Sequence, residues 1–78
     1  MAGVYPNPAT DKLNIVAGDQ ELTSITIFDA SGRIVYESKA MVAAGRSEVV
    51  NIRAFSSGVY AVKIQSASQT VTRKFVKQ

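Results

Sequence analysis

Hydrophobic and polar positions alternate with a period of two along most of the chain. In residues 12–17, Leu13, Ile15 and Ala17 fall on one face. Residues 23–29 are dense in β-branched side chains, which suit a pleated, half-buried surface. Residues 33–38 and 47–52 continue the pattern. In residues 58–65, Tyr60, Val62 and Ile64 share one face, and Ala61, Lys63 and Gln65 the other. A last run, residues 69–78, is rich in β-formers and carries Val71, Phe75 and Val76. That is too apolar for a frayed tail, so it is expected to pair and pack. Val4 and Tyr5 read as a very short edge strand. Residues 39–46 are weakly apolar without a period, which suits a short strand, a loose crossover or one helical turn. Strands recurring about every ten residues, with links too short for parallel crossovers, predict an all-β antiparallel sandwich of six or seven strands.

The connections carry the strongest local signals. In Tyr5-Pro6-Asn7-Pro8 neither proline can donate to a sheet ladder, and both push the preceding residue toward extended geometry. Thr10 and Asp11 are suited to closing that turn onto nearby backbone N–H groups. Asp11 as a metal ligand is the sharper but disfavoured reading. Asp29-Ala30-Ser31-Gly32 fits a type I turn whose glycine takes a positive φ, a three-residue hairpin loop with a bulge. That register sets Asp29 against Arg33, Phe28 against Ile34 and Ile27 against Val35. A two-residue Ser-Gly loop would instead set Asp29 against Ile34. The first is preferred because it pairs charge with charge and apolar with apolar. In residues 53–58, Phe55 is expected to plug the core beneath the connection, and Gly58 to take a backbone shape other residues resist.

Composition removes most chemistry. The chain has 78 residues, hence one small domain, with neither cysteine nor histidine. No disulfide, thiolate metal site or imidazole base is available. The five glycines are scattered singly, so there is no phosphate-binding loop. Serines sit in turns, where they are common without catalysis. No acid ladder for calcium is present. Asp19 and Glu21 have nothing nearby to desolvate either carboxylate, so they do not read as a catalytic pair. The chain is therefore expected to be no enzyme, to hold no metal or cofactor, and, lacking an apolar run of about 18 residues, to carry no transmembrane helix. It has no signal-peptide pattern at its start. Met1, Ala2 and Gly3 read as an appended start, with the domain spanning residues 4–78 of a piece taken from a longer protein.

Charge singles out the tail. Arg73, Lys74 and Lys77 equal the whole net charge of +3; residues 1–72 balance six Lys and Arg against six Asp and Glu. With Tyr36 and Tyr60, this cluster has the residue types of a single-strand nucleic-acid platform. A charged edge strand guarded against aggregation explains it more simply, so no nucleic-acid partner is expected. A third reading makes the tail a recognition tag for another protein.

Four landmarks stand in order: Val4-Tyr5-Pro6-Asn7-Pro8-Ala9-Thr10-Asp11-Lys12-Leu13-Asn14-Ile15; Ile27-Phe28-Asp29-Ala30-Ser31-Gly32-Arg33-Ile34-Val35; Phe55-Ser56-Ser57-Gly58-Val59-Tyr60-Ala61-Val62-Lys63-Ile64; and Lys74-Phe75-Val76-Lys77. Together they resemble the C-terminal sorting domain of type IX secretion cargo from Bacteroidota. Phe55 departs from the leucine usual in that family. The resemblance implies an immunoglobulin-like antiparallel β-sandwich of about seven strands that ends a larger exported protein. It implies transit through the periplasm, recognition by the outer-membrane translocon, and a final place at the cell surface or in the medium. In the family's better-known branch a sortase-like cysteine protease removes the domain and can join the cargo to anionic lipopolysaccharide. On this reading Arg73, Lys74, Phe75, Val76, Lys77 and Gln78 are the residues read by the partner, by strand addition to the terminal edge. Pro6, Asn7, Pro8, Asp29, Gly32, Gly58 and Tyr60 are landmarks that build the fold. The alternative is an Ig-like adhesion or carbohydrate-binding module, which needs an exposed aromatic platform such as Tyr5 and Tyr36. Edge strands leave room for a strand-exchanged homodimer.

Overall fold

The computed structural model describes residues 2–39 and 41–78; Met1 and Ala40 lie outside the described residues. Seven strands form in chain order: β1 Gly3–Tyr5, β2 Lys12–Val16, β3 Leu22–Phe28, β4 Ile34–Ser38, β5 Ser47–Asn51, β6 Gly58–Ser66 and β7 Thr70–Lys77. They make two antiparallel sheets, one ordered β1-β2-β5 and the other β4-β3-β6-β7. No helix appears among the described residues. The expected all-β, Ig-like sandwich is present. Gly3 already belongs to β1, pairing with Val16, one residue ahead of the expected domain start. The 39–46 segment forms neither strand nor helical turn where described. Val42 makes a single bridge to Leu22 and buries its side chain.

The core follows the alternation. Leu13, Ile15 and Ala17 from the first sheet face Ile25, Ile27, Tyr60, Val62, Ile64 and Phe75 from the second. Val50 and Ile52 close the β5 side. Packed faces of this kind are what hold a small cysteine-free sandwich together, since burying one such side chain stabilises by roughly 1.5–3 kcal/mol.

Each flank of the sandwich is closed differently. At the β1/β7 flank, Ala9 bridges Lys77: the Ala9 N–H donates to the Val76 carbonyl (2.8 Å), and the Gln78 N–H donates to the Ala9 carbonyl (2.9 Å). At the β4/β5 flank, the Tyr36 hydroxyl donates to Glu48 Oε2 (2.7 Å) across the gap between sheets. Burial raises the Tyr36 hydroxyl above its ordinary value, and the Glu48 carboxylate adds to the effect.

The hairpin register needs one correction. Phe28 faces Ile34 and Asp29 meets Arg33 as expected, but Ile27 faces Tyr36, not Val35. A bulge between Ile27 and Phe28 absorbs the extra residue. Two residues opposing one leave both Val35 and Tyr36 half-buried against the core, and the Tyr36 ring is thereby aimed at Glu48. Apolar-for-apolar pairing could not distinguish Val35 from Tyr36.

Candidate recognition surface

The four sequence landmarks, far apart in the chain, meet at one pole of the sandwich. Gly58 pairs with Lys77, Ala9 bridges Lys77, and Asn7 touches Lys74 and Val76. Asp29 and Ala30 line a shallow recess with Val59, Tyr60, Ala61 and Lys74. The opposite pole holds Ala2, the 18–20 turn and the 66–69 turn, which border one another. Ala2 therefore lies at the pole away from the landmarks.

Each landmark has a local physical reason. Asp29 organises its turn: Oδ1 accepts from the Ser31 N–H (3.0 Å), the Ser31 hydroxyl (2.7 Å) and the Arg33 N–H (3.0 Å). Its Oδ2 lies 3.4 Å from the Arg33 guanidinium. The Ser31 hydroxyl, and then the Arg33 N–H, hold this carboxyl below the usual aspartate range. Gly32 donates to the Asp29 carbonyl (3.0 Å) at φ +90°, a shape glycine takes without cost. The Tyr60 hydroxyl reaches back to the Ser56 carbonyl (2.6 Å), fixing the connection into β6. Its ring stacks on Phe75 (centroids 5.3 Å apart), with Phe55 on its other neighbour side (5.2 Å). Phe55 is half-buried and lines an open groove with Tyr60, so it is a lid over the aromatic pair and not the buried plug expected. Pro6 and Pro8 both follow cis peptide bonds, and both are exposed. The side-chain ties of this turn come from Asn7, which reaches β7, and from Asn14, whose Nδ2 donates to the Tyr5 carbonyl (3.4 Å). The Thr10 and Asp11 side chains stay exposed, and Asp11 contributes its carbonyl to the Ile52 N–H (2.9 Å).

The tail divides by parity. Phe75 is fully buried and Lys77 is only 8% exposed, its ammonium turned to the Gln78 main-chain oxygen (2.8 Å). These two belong to the core side, because they pair with the inward residues Tyr60 and Gly58. Arg73 is half-buried beside Val62. Lys74, Val76 and Gln78 are exposed. So six consecutive residues do not present one surface: pleating sends alternate side chains to opposite faces.

The outward residues have apolar company that the tail alone did not reveal. Across the outer face of the larger sheet run Ile34, Phe28, Ala61 and Lys74, cross-strand neighbours in that order. The adjacent row pairs Val59 with Val76. Ile34 (53% exposed), Val59 (49%) and Val76 (41%) are large apolar side chains left open to solvent. The alternation that puts Tyr60 inward already puts Val59 outward; Ile34 needed the hairpin register.

No group of three or more metal-ligating side chains occurs among the described residues. Nor do the tyrosines make a platform. Tyr5 is exposed on β1, while Tyr36 lies on the opposite flank, half-buried and bonded to Glu48. The adhesion and carbohydrate-binding alternative therefore lacks the feature it needs.

The family model of the secretion system C-terminal sorting domain matches residues 3–78. No curated protein matches the chain.

Proposed function

The chain belongs to the secretion system C-terminal sorting domain family, and on that premise we propose that the export machinery reads it through Lys74, Val76 and Gln78, together with Val59 and Ile34. Members of the family are sorting signals for type IX secretion, so the domain is an address carried by its parent protein from the periplasm to the cell surface. The observation that carries the surface assignment is the parity of β7: its inward residues are sequestered, and its outward ones stand beside exposed apolar neighbours. A basic group beside apolar side chains, on a rigid sheet, suits a partner surface that is apolar with a carboxylate nearby. The partner in this reading is the outer-membrane translocon. A sortase-like cysteine protease at the surface acts afterwards, on chain ahead of β1, since Gly3 is already paired with Val16 within the sandwich.

The test is a fusion of the domain to the C-terminus of a periplasmic reporter in a type IX-competent cell. The unmodified fusion is exported. Lys74→Glu with Val76→Asp loses most export yet keeps its thermal midpoint within a few degrees, because both side chains are solvent-exposed. Normal export by that double variant moves the surface elsewhere. Retention of the unmodified fusion, while a native cargo is exported normally, removes the sorting assignment itself.

A further inference from the structure

β7 has β6 on one side only, so alternate N–H and C=O groups along its outer edge point away from the sheet. A parallel strand laid there would need, opposite Phe75, one donor to the Lys74 carbonyl and one acceptor for the Val76 N–H. Pro6 and Pro8 have no N–H to offer. Asn7 between them supplies both groups from its side chain: Nδ2 donates to the Lys74 carbonyl (3.5 Å) and Oδ1 accepts from the Val76 N–H (3.0 Å). Two residues on, Ala9 makes the next rung with its main chain, around Lys77. The result is a two-rung parallel ladder whose first rung is a carboxamide. A planar group with a donor and an acceptor side by side, like a peptide unit, matches that rung; an ionised Asp offers acceptors only, and Leu offers neither group.

We infer that Asn7 is a positioning residue for the sorting signal: its carboxamide replaces one peptide unit of a parallel strand and closes the terminal half of the outer edge of β7, so the strand is read by its outward side chains and not by strand addition at that edge. The inference rests on the sorting reading, and it replaces the strand-addition mode that the sequence suggested. Without the carboxamide, the Val76 N–H loses its partner, and besides β6 only the Ala9 rung around Lys77 holds the end of β7. Lys74, Val76 and Gln78 then lose a fixed presentation, while the interior of the sheet is untouched.

Amide exchange and reporter export test it together. In Asn7→Ala, the Val76 amide exchanges about tenfold faster, the scale of one lost hydrogen bond. The Val62 amide, in mid-sheet, keeps its wild-type rate. Export falls several-fold at a temperature where the domain remains fully folded. Ile52→Val, a core change of comparable effect on the thermal midpoint, keeps wild-type export. Asn7→Asp retains an acceptor for the Val76 N–H, so it keeps that amide slow and recovers the larger part of export. An unchanged Val76 rate in Asn7→Ala disproves the clasp. Export in Asn7→Ala equal to that of the Ile52→Val control reduces Asn7 to an ordinary stabiliser and overturns the positioning role. If the unmodified fusion is not exported, the sorting reading fails, and the exchange rates still decide the clasp by themselves.

Discussion

Gly58 holds φ at +152°, and an added Cβ would meet nothing within 4 Å. Space is therefore not what demands glycine there; backbone conformation is. Gly58→Ala is expected to cost about 1–3 kcal/mol, read as a lower urea midpoint at an unchanged m value. A larger change in m would mean the unfolded ensemble had been altered instead. The need for glycine was legible in the chain, because Ser-Ser-Gly before an alternating run marks a turn feeding a strand. Asn7 was legible only as one member of a proline-bounded turn. Its partners, Lys74 and Val76, lie 67 and 69 residues away, and no local pattern encodes a side chain imitating a distant peptide group.

Strands follow from period-two alternation, but their partners depend on register. The hairpin loop after β3 was readable from Asp29 and Gly32. The bulge one residue further on was not, since Val35 and Tyr36 both suit a half-buried position. Through that bulge β4 also ties the two sheets together, because its tyrosine spans to β5 in the other sheet. Tyr36→Phe removes the bond to Glu48 and keeps the ring packing. It should lower stability by about 1 kcal/mol, measured by denaturant titration, with hairpin residues such as Ile34 and Phe28 unmoved in their chemical shifts. Because the folded-state Tyr36 hydroxyl titrates above its ordinary value, the native state holds its proton longer than the unfolded chain does. Stability supplied by this group is thus complete below the ordinary tyrosine range and is lost as pH rises through the folded-state value. The Phe variant lacks that alkaline loss.

The whole molecule is a sandwich with distinct poles, and the landmarks of four chain segments share one of them. The tail's last residues serve the fold and the surface at once. Removing residues 76–78 deletes the Ala9–Val76 and Gln78–Ala9 hydrogen bonds, the Asn7–Val76 bond and the last pairings with β6. At about 1 kcal/mol for each lost hydrogen bond, the truncated domain should melt roughly 10 °C or more below the full one, followed by circular dichroism. A truncation that leaves the midpoint unchanged would show that the terminal clasp contributes nothing to stability. Loss of export on truncation consequently says less about recognition than the exposed-face substitutions do.

Alternation, turn residues and composition by themselves determined that the chain is an all-β domain, which sides of β2 and β6 are buried, where the Asp29 hairpin turns, and that the residue types for imidazole or thiolate chemistry are missing. These are local properties: a period of two and a glycine at a positive φ are written in neighbouring residues. Tertiary structure alone decided that the basic tail has two faces, with Phe75 and Lys77 withdrawn and Lys74, Val76 and Gln78 presented. It alone placed Ile34 and Val59 beside them and set Asn7 against the edge of β7. Those facts depend on which strands neighbour one another, and neighbours in a sandwich are chosen by long-range pairing that no short stretch of sequence contains.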